Sequence, residues 1–275
     1  MKKLVSIILC AFLLTSCMSL FAFAEGESIE VYVSISNKGA LAVAYEKVTV
    51  TDIDDDNKLT INDALYAIHK AKYQGGVDAG YSYFETEQYG LSIGTLWGDK
   101  SGCFGYYLNN ASAWSLSDEV KNGDYVYGFV YSDTEYWSDS YSFFEKTTLT
   151  ANAGEEITLT LSKTGYDENW NTVTEPLTDA TITVNGQKTE IKTDKDGKAV
   201  IKIDASGNYT ISAVADSGYI VPPVCMASVT AKSEQPNNND VKPSDNSMNI
   251  WFILLASVSF FFALTVSLKM RKNEF

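Results

Sequence analysis

An unbroken apolar run over residues 250–268 constrains this chain more than any other feature. It is 19 residues long, carries no charge, and has only Ser and Thr as polar members. At about 1.5 Å of rise per residue, a helix of that length spans roughly 28 Å, close to the hydrocarbon thickness of a bilayer. A soluble helix of this length would carry a broader polar face. Trp251 stands at one edge, where indoles favour the interface, and Lys269-Met270-Arg271-Lys272 follows the other. Positive charge stays on the cytoplasmic side, so the pattern predicts a transmembrane helix, an outward body and a cytoplasmic tail at 269–275.

The other end agrees. Met1-Lys2-Lys3 precedes an apolar run over 4–14, and Ala22-Phe23-Ala24 is a small-x-small cleavage site, which reads as a secretory signal over 1–24. Leu14-Thr15-Ser16-Cys17 also resembles a lipobox, which would place a lipid on Cys17. Cleavage after Ala24 is favoured because the other terminus already supplies an anchor. The stretch Val241-Lys242-Pro243-Ser244-Asp245-Asn246-Ser247, then the apolar run, then the basic tail, resembles the sorting signal of Gram-positive wall proteins. The Leu-Pro-x-Thr-Gly motif is absent, so a plain membrane anchor is expected. About 225 residues remain, enough for one large or two small domains.

The net charge of −14 argues against nucleic acid and anionic lipid as partners and is compatible with cation binding. Beyond the signal only Cys103 and Cys225 remain. They form either one long-range disulfide or two buried thiols, and no disulfide scaffold.

Residues 28–36 alternate, with Ile29, Val31, Val33 and Ile35 on one face, as a strand requires. Lys47-Val48-Thr49-Val50 is a second strand. Ile61, Ala64, Leu65 and Ile68 form one helical stripe ending near Tyr73, stopped by Gly75-Gly76. Aromatic, glycine-rich segments follow, with strands near 105–109 and 125–131. Residues 25–146 read as one α+β domain, a single helix on a mostly antiparallel sheet. From Thr147 β-branched and polar residues alternate in short runs, with Asn185-Gly186 and Asp196-Gly197 as turn signals. Residues 147–231 therefore predict a small all-β sandwich, and 232–249 a polar linker.

The sharpest motif lies over 52–63. Asp52, Asp54, Asp56, Thr60 and Asp63 fall at positions 1, 3, 5, 9 and 12 of a twelve-residue loop, the spacing that wraps a hard cation in an EF-hand. Asp52, Asp54 and Asp56 would give side-chain oxygens, Lys58 its carbonyl, Thr60 a direct or water-borne contact, and Asp63 the closing carboxylate. Calcium is the expected cofactor, since crowded carboxylates repel one another without a cation. Position 6 is Asn57 rather than Gly, and Asn tolerates the left-handed conformation needed there. The competing reading is an acidic turn that only caps a helix. The loop and Leu59-Thr60-Ile61-Asn62-Asp63-Ala64-Leu65 resemble a dockerin half-repeat. Dockerins bind cohesin through two repeats, and one is present, so no cohesin partner is expected.

Between Tyr81 and Phe144 lie 18 of the 35 aromatic residues, more than one small core requires. Tyr89-Gly90-Leu91-Ser92-Ile93-Gly94-Thr95-Leu96-Trp97-Gly98, Gly105-Tyr106-Tyr107-Leu108-Asn109-Asn110 and Lys121-Asn122-Gly123-Asp124-Tyr125-Val126 follow the strand pair and helix in order. Together they resemble the C-terminal domain of transcobalamin and intrinsic factor and similar bacterial surface domains. That resemblance covers about residues 28–132. It implies a β-grasp-like fold and a face for a corrinoid-like ligand, although the family's helical barrel is missing. Residues 180–213 resemble immunoglobulin-like or carboxypeptidase-regulatory-like modules, which mostly act as stalks.

The expected class is thus α+β: a β-grasp-like domain with one helix, a small all-β sandwich, then a transmembrane helix. Candidate ligand residues are Tyr89, Trp97, Tyr106, Tyr107, Trp114 and Trp137. A single His, His69, removes most Ser-His and Cys-His arrangements, and no phosphate-binding fingerprint occurs, so no enzyme is expected. The expectation is a calcium-stabilised protein on the outer face of the cell membrane that captures a corrinoid-like or other small ligand. The alternative is an adhesin or display protein recognising carbohydrate or another protein through exposed aromatics.

Overall fold

Alternation decides the first element, and both of its faces become interior. The computed structural model describes residues 28–88, 90–169 and 171–232. Strand β1 (Ser28–Asn37) puts Val31, Val33 and Ile35 on one buried face and Ser34 and Ser36 on the other, also buried. It pairs antiparallel with β2 (Ala40–Thr51), in which Tyr45 takes a positive φ at an irregularity in the register, its N–H bonded to Ser34 Oγ at 2.8 Å. Helix α1 (Ile61–Lys72) starts at Thr60, whose hydroxyl and backbone form a capping box with Asp63. Its predicted stripe, Ile61, Ala64, Leu65 and Ile68, is fully buried. The free N–H groups of Ile61 and Asn62 bond to the carbonyls of Asp118 and Leu116, so a strap of chain seals the helix start.

A short helix α2 (Gly76–Gly80) leads into the hairpin β3 (Tyr81–Thr86) and β4 (Gly90–Leu96). Then come β5 (Phe104–Leu108), β6 (Ala111–Ser112) and β7 (Tyr125–Val130). The first sheet has the order β2-β1-β7-β5-β6, with β1 and β7 parallel and the other neighbours antiparallel. All six residues of β7 are buried. Val126 and Val130 join the aliphatic core under α1. Between them Gly128 keeps the helix close: a Cβ there would stand 3.0 Å from Leu65 Cδ2. Tyr125, Tyr127 and Phe129 point the other way into a second, aromatic core with Tyr141, Val221 and Val224.

The remaining strands are β8 (Ser140–Phe144), β9 (Thr148–Asn152), β10 (Glu156–Tyr166), β11 (Thr172–Pro176), β12 (Thr181–Val184), β13 (Gln187–Lys192), β14 (Lys198–Lys202), β15 (Gly207–Val214), β16 (Ile220–Val221) and β17 (Cys225–Thr230). One sheet runs β11-β10-β8-β16, with β14 also on β10, and the other runs β13-β12-β15-β17-β9. They enclose an aliphatic core around Leu161, Ile182 and Ile211, as a β-sandwich should. Asn185 and Gly186 both have positive φ in the β12–β13 turn, the conformation an Asn-Gly hairpin demands.

The α+β, β-grasp-like class is overturned. The described chain is mostly β, at 53% strand and 8% helix, in three five-stranded sheets and one two-stranded hairpin. One helical stripe was read as a defining layer, but the aromatic runs pair into strands whose second faces are covered by further strands. No described helix is long and apolar enough to cross a membrane. The signal segment, the linker beyond Lys232 and the predicted transmembrane run at 250–268 lie outside the described residues.

Candidate functional site

Loop 52–63 hangs between the end of β2 and the cap of α1. Its first carboxylate organises it: Asp52 Oδ1 accepts from the N–H groups of Asp54 (3.2 Å) and Asp56 (3.3 Å), and Oδ2 from Asn57 (2.8 Å). Asp55 and Asn57 both adopt positive φ, 59° and 64°, so Asn57 takes the left-handed conformation its loop position requires. Lys58 N–H donates to Asp56 Oδ1 at 2.8 Å. The Lys58 ammonium stands 3.8 Å from Glu119 at the surface. Leu59 packs inward on the aliphatic core.

Asp63 closes the loop from the first turn of α1. It is 1% exposed. Its Oδ1 accepts from Ile53 N–H (3.0 Å) and its Oδ2 from Thr60 N–H (2.8 Å) and Thr60 Oγ1–H (2.6 Å). Thr60 is therefore occupied as the helix cap. An ionised carboxylate offers about four lone-pair directions, so Asp63 Oδ1 retains one after its single bond. Ligand oxygens of Asp52, Asp54 and Asp63 all lie within 4.8 Å of one another. Asp56 lies outside that tight trio. Asp54 is held above the ordinary carboxylate range, first by desolvation, then by repulsion from Asp56 and Asp63. Asp52 is also desolvated, but the N–H groups of Asn57, Asp54 and Asp56 outweigh this and hold it below that range. Three oxygens brought together by a bent loop could supply part of the oxygen shell of a hard divalent cation.

Five of the six aromatic candidates lie among the described residues, and no ring contact joins any two of those five. Tyr89 lies outside the described residues. Trp97 is half-buried against His69 and Tyr73, with ring centroids 5.2 and 5.0 Å apart. Tyr106 packs on the aliphatic core. Tyr107 stacks face to face on Tyr141 at 3.7 Å, and burial pushes its phenol up to about 12. Trp114 and Trp137 are exposed, at 96% and 59%.

Sequence reasoning missed the setting of His69. It is fully buried. Its Nδ1 lies 2.6 Å from the Leu65 carbonyl, and its Nε2 accepts from Trp97 N–H at 3.0 Å. The Nδ1-protonated neutral ring satisfies both contacts. Burial pushes its pKa down to about 4, against a smaller upward pull from the Leu65 carbonyl. Trp97 has φ 49° in a turn closed by Leu96 and Asp99, so His69 pins a strained residue. The signal was one position of offset: on α1, residue 69 neighbours Leu65 one turn back. Cys103 and Cys225 are both buried and free, in separate surroundings.

No protein-family model matches the sequence, and no curated protein matches it. Two solved structures overlap with it in part. The teleost fish polymeric Ig receptor ectodomain shares 10% identity at a TM-score of 0.21, over 56% of this chain and 74% of that one. The N-terminal four Ig domains of Dscam1 isoform 4.44 share 12% identity at a TM-score of 0.21, over 77% of this chain and 45% of that one. This chain thus spans less than half of the Dscam1 chain, and overlap at such scores transfers neither function nor partner.

Proposed function

We propose that this is a cell-surface binding or display protein whose first half is braced by one Ca²⁺ in loop 52–63. The observation that carries the metal is the convergence of Asp52, Asp54 and Asp63 within 4.8 Å. The metal would sit between the end of β2 and the start of α1 and replace the mutual repulsion of those carboxylates with attraction. Its role is structural, because the loop runs directly into the buried cap of α1.

A cation that binds only the folded state stabilises it by about 2.7 kcal/mol at a hundred times its Kd. For a body of this size that is a rise of roughly 5–10 °C in Tm. Melting the purified protein in millimolar Ca²⁺ and in EDTA tests the proposal. A rise of that order in the wild type, absent in Asp52→Asn/Asp54→Asn, is expected; identical wild-type curves would refute it. Protons compete for the same oxygens, so the calcium increment should shrink as pH falls through the carboxylate range. Asp54, raised by desolvation, takes up its proton before Asp52, which its N–H partners hold down. Binding of a corrinoid or of glycans is checked by tryptophan fluorescence titration.

A further inference from the structure

The loop between β7 and β8 carries a feature that neither packing nor turn geometry requires. Trp137 has φ 53°, a conformation a bulky L-residue enters only with strain, and it is 59% exposed. Glycine would serve that backbone at less cost, so the indole itself is what the position displays. The loop is rigid. Buried Asp139 accepts from the N–H groups of Ser132 and Asp133, both at 2.8 Å. Asp133 in turn accepts from the N–H groups of Glu135 and Tyr136 and from Ser138 Oγ–H.

Tyr136, the chain neighbour of Trp137, is 76% exposed. The Tyr131 ring centroid is 6.3 Å from that of Trp137. Tyr131 has a raised phenol pKa, first from burial, then from Asp139.

Loop 132–139 holds Asp133, Glu135 and the buried Asp139 and no Lys or Arg. Among the described residues, no ion pair engages any of these three carboxylates. Aromatic faces on an acidic loop attract a cation twice, through the ring quadrupole and through Coulomb attraction. A planar guanidinium over an indole is the best match, and Trp, Tyr and Arg dominate the anchoring residues of protein interfaces.

We propose that Trp137, Tyr136 and Tyr131 form a docking surface for an arginine- or lysine-bearing segment of a partner protein. The proposal rests on the reading of this chain as a binding protein and is independent of the metal.

The test is calorimetric titration of the purified protein with an acetylated, amidated tetra-arginine peptide. Tetra-glutamate and neutral oligosaccharides of glucose and N-acetylglucosamine serve as comparison probes. The tetra-arginine peptide should bind, at least tenfold more weakly to Trp137→Ala, near wild-type to Trp137→Phe, and unchanged to Trp114→Ala. Tyr136→Ala repeats the loss should Trp137→Ala melt early. Equal binding to wild type and Trp137→Ala would reduce the effect to diffuse attraction by an acidic protein and overturn the proposal. So would no binding of the peptide, or a response to the neutral sugars alone. EDTA should leave peptide binding intact, so failure of the calcium reading and of this one can be told apart.

Discussion

The chain uses its aromatic residues in two opposite ways. Tyr125, Tyr127, Phe129 and Tyr141 are at most 7% exposed and form an interior between the first sheet and strands of the second half. Their polar ends are satisfied inside it: Tyr127 Oη donates to the Pro222 carbonyl at 2.6 Å and Tyr125 Oη to Ser34 Oγ at 2.8 Å. Trp114, Tyr136 and Trp137 stand on loops with their rings in solvent. Composition alone does not separate the two sets. Strand alternation and a second covering layer do, which means aromatic abundance over 81–144 reports a second core before it reports a ligand site.

Breaking the interior set should cost most. Tyr127→Ala removes a fully buried ring and leaves the Pro222 carbonyl without its donor, a loss of about 3–5 kcal/mol in denaturant unfolding. An effect below about 1 kcal/mol would show that the aromatic face is solvated. Next comes His69, walled by Tyr81, Tyr73 and Trp97. Its folded pKa of about 4 lies below the ordinary 6.5, so the unfolded state takes up the proton first. The stability it contributes is fully present above pH 6.5 and is lost as pH falls toward 4, about 3 kcal/mol in all. Stability measured against pH should flatten across that window in His69→Gln, and an unchanged slope would remove His69 as its source. Smallest is the exposed set: Trp114→Ala should move stability by no more than about 0.5 kcal/mol. A larger loss would mean that Trp114 packs against something in solution.

Much of this was legible because local rules act locally. The stripe of α1, the strand at 28–36, the Asn185-Gly186 turn and the acidic loop are each set by neighbours in sequence. The pairing of β1 with β7 was not legible: it joins Tyr32 to Tyr125 in parallel, and no local pattern announces a partner so distant. With that pairing unseen, the aromatic excess over 81–144 reads only as more than one small core requires, and the fold class leans on the one visible helix. The acidic spacing at 52–63 marks a candidate metal loop in the sequence. The carboxylates that lie together, Asp52, Asp54 and Asp63, are fewer than the motif, and Thr60 is spent on capping α1.

The central claim is that Asp52, Asp54 and Asp63 hold one calcium ion, and calorimetric titration of Ca²⁺ into the EDTA-stripped, dialysed protein at pH 7 tests it most directly. The account predicts one site per chain, absent in Asp52→Asn/Asp54→Asn and weakened as pH falls through the carboxylate range. A wild-type titration with no heat and no saturable binding of Ca²⁺ would contradict it.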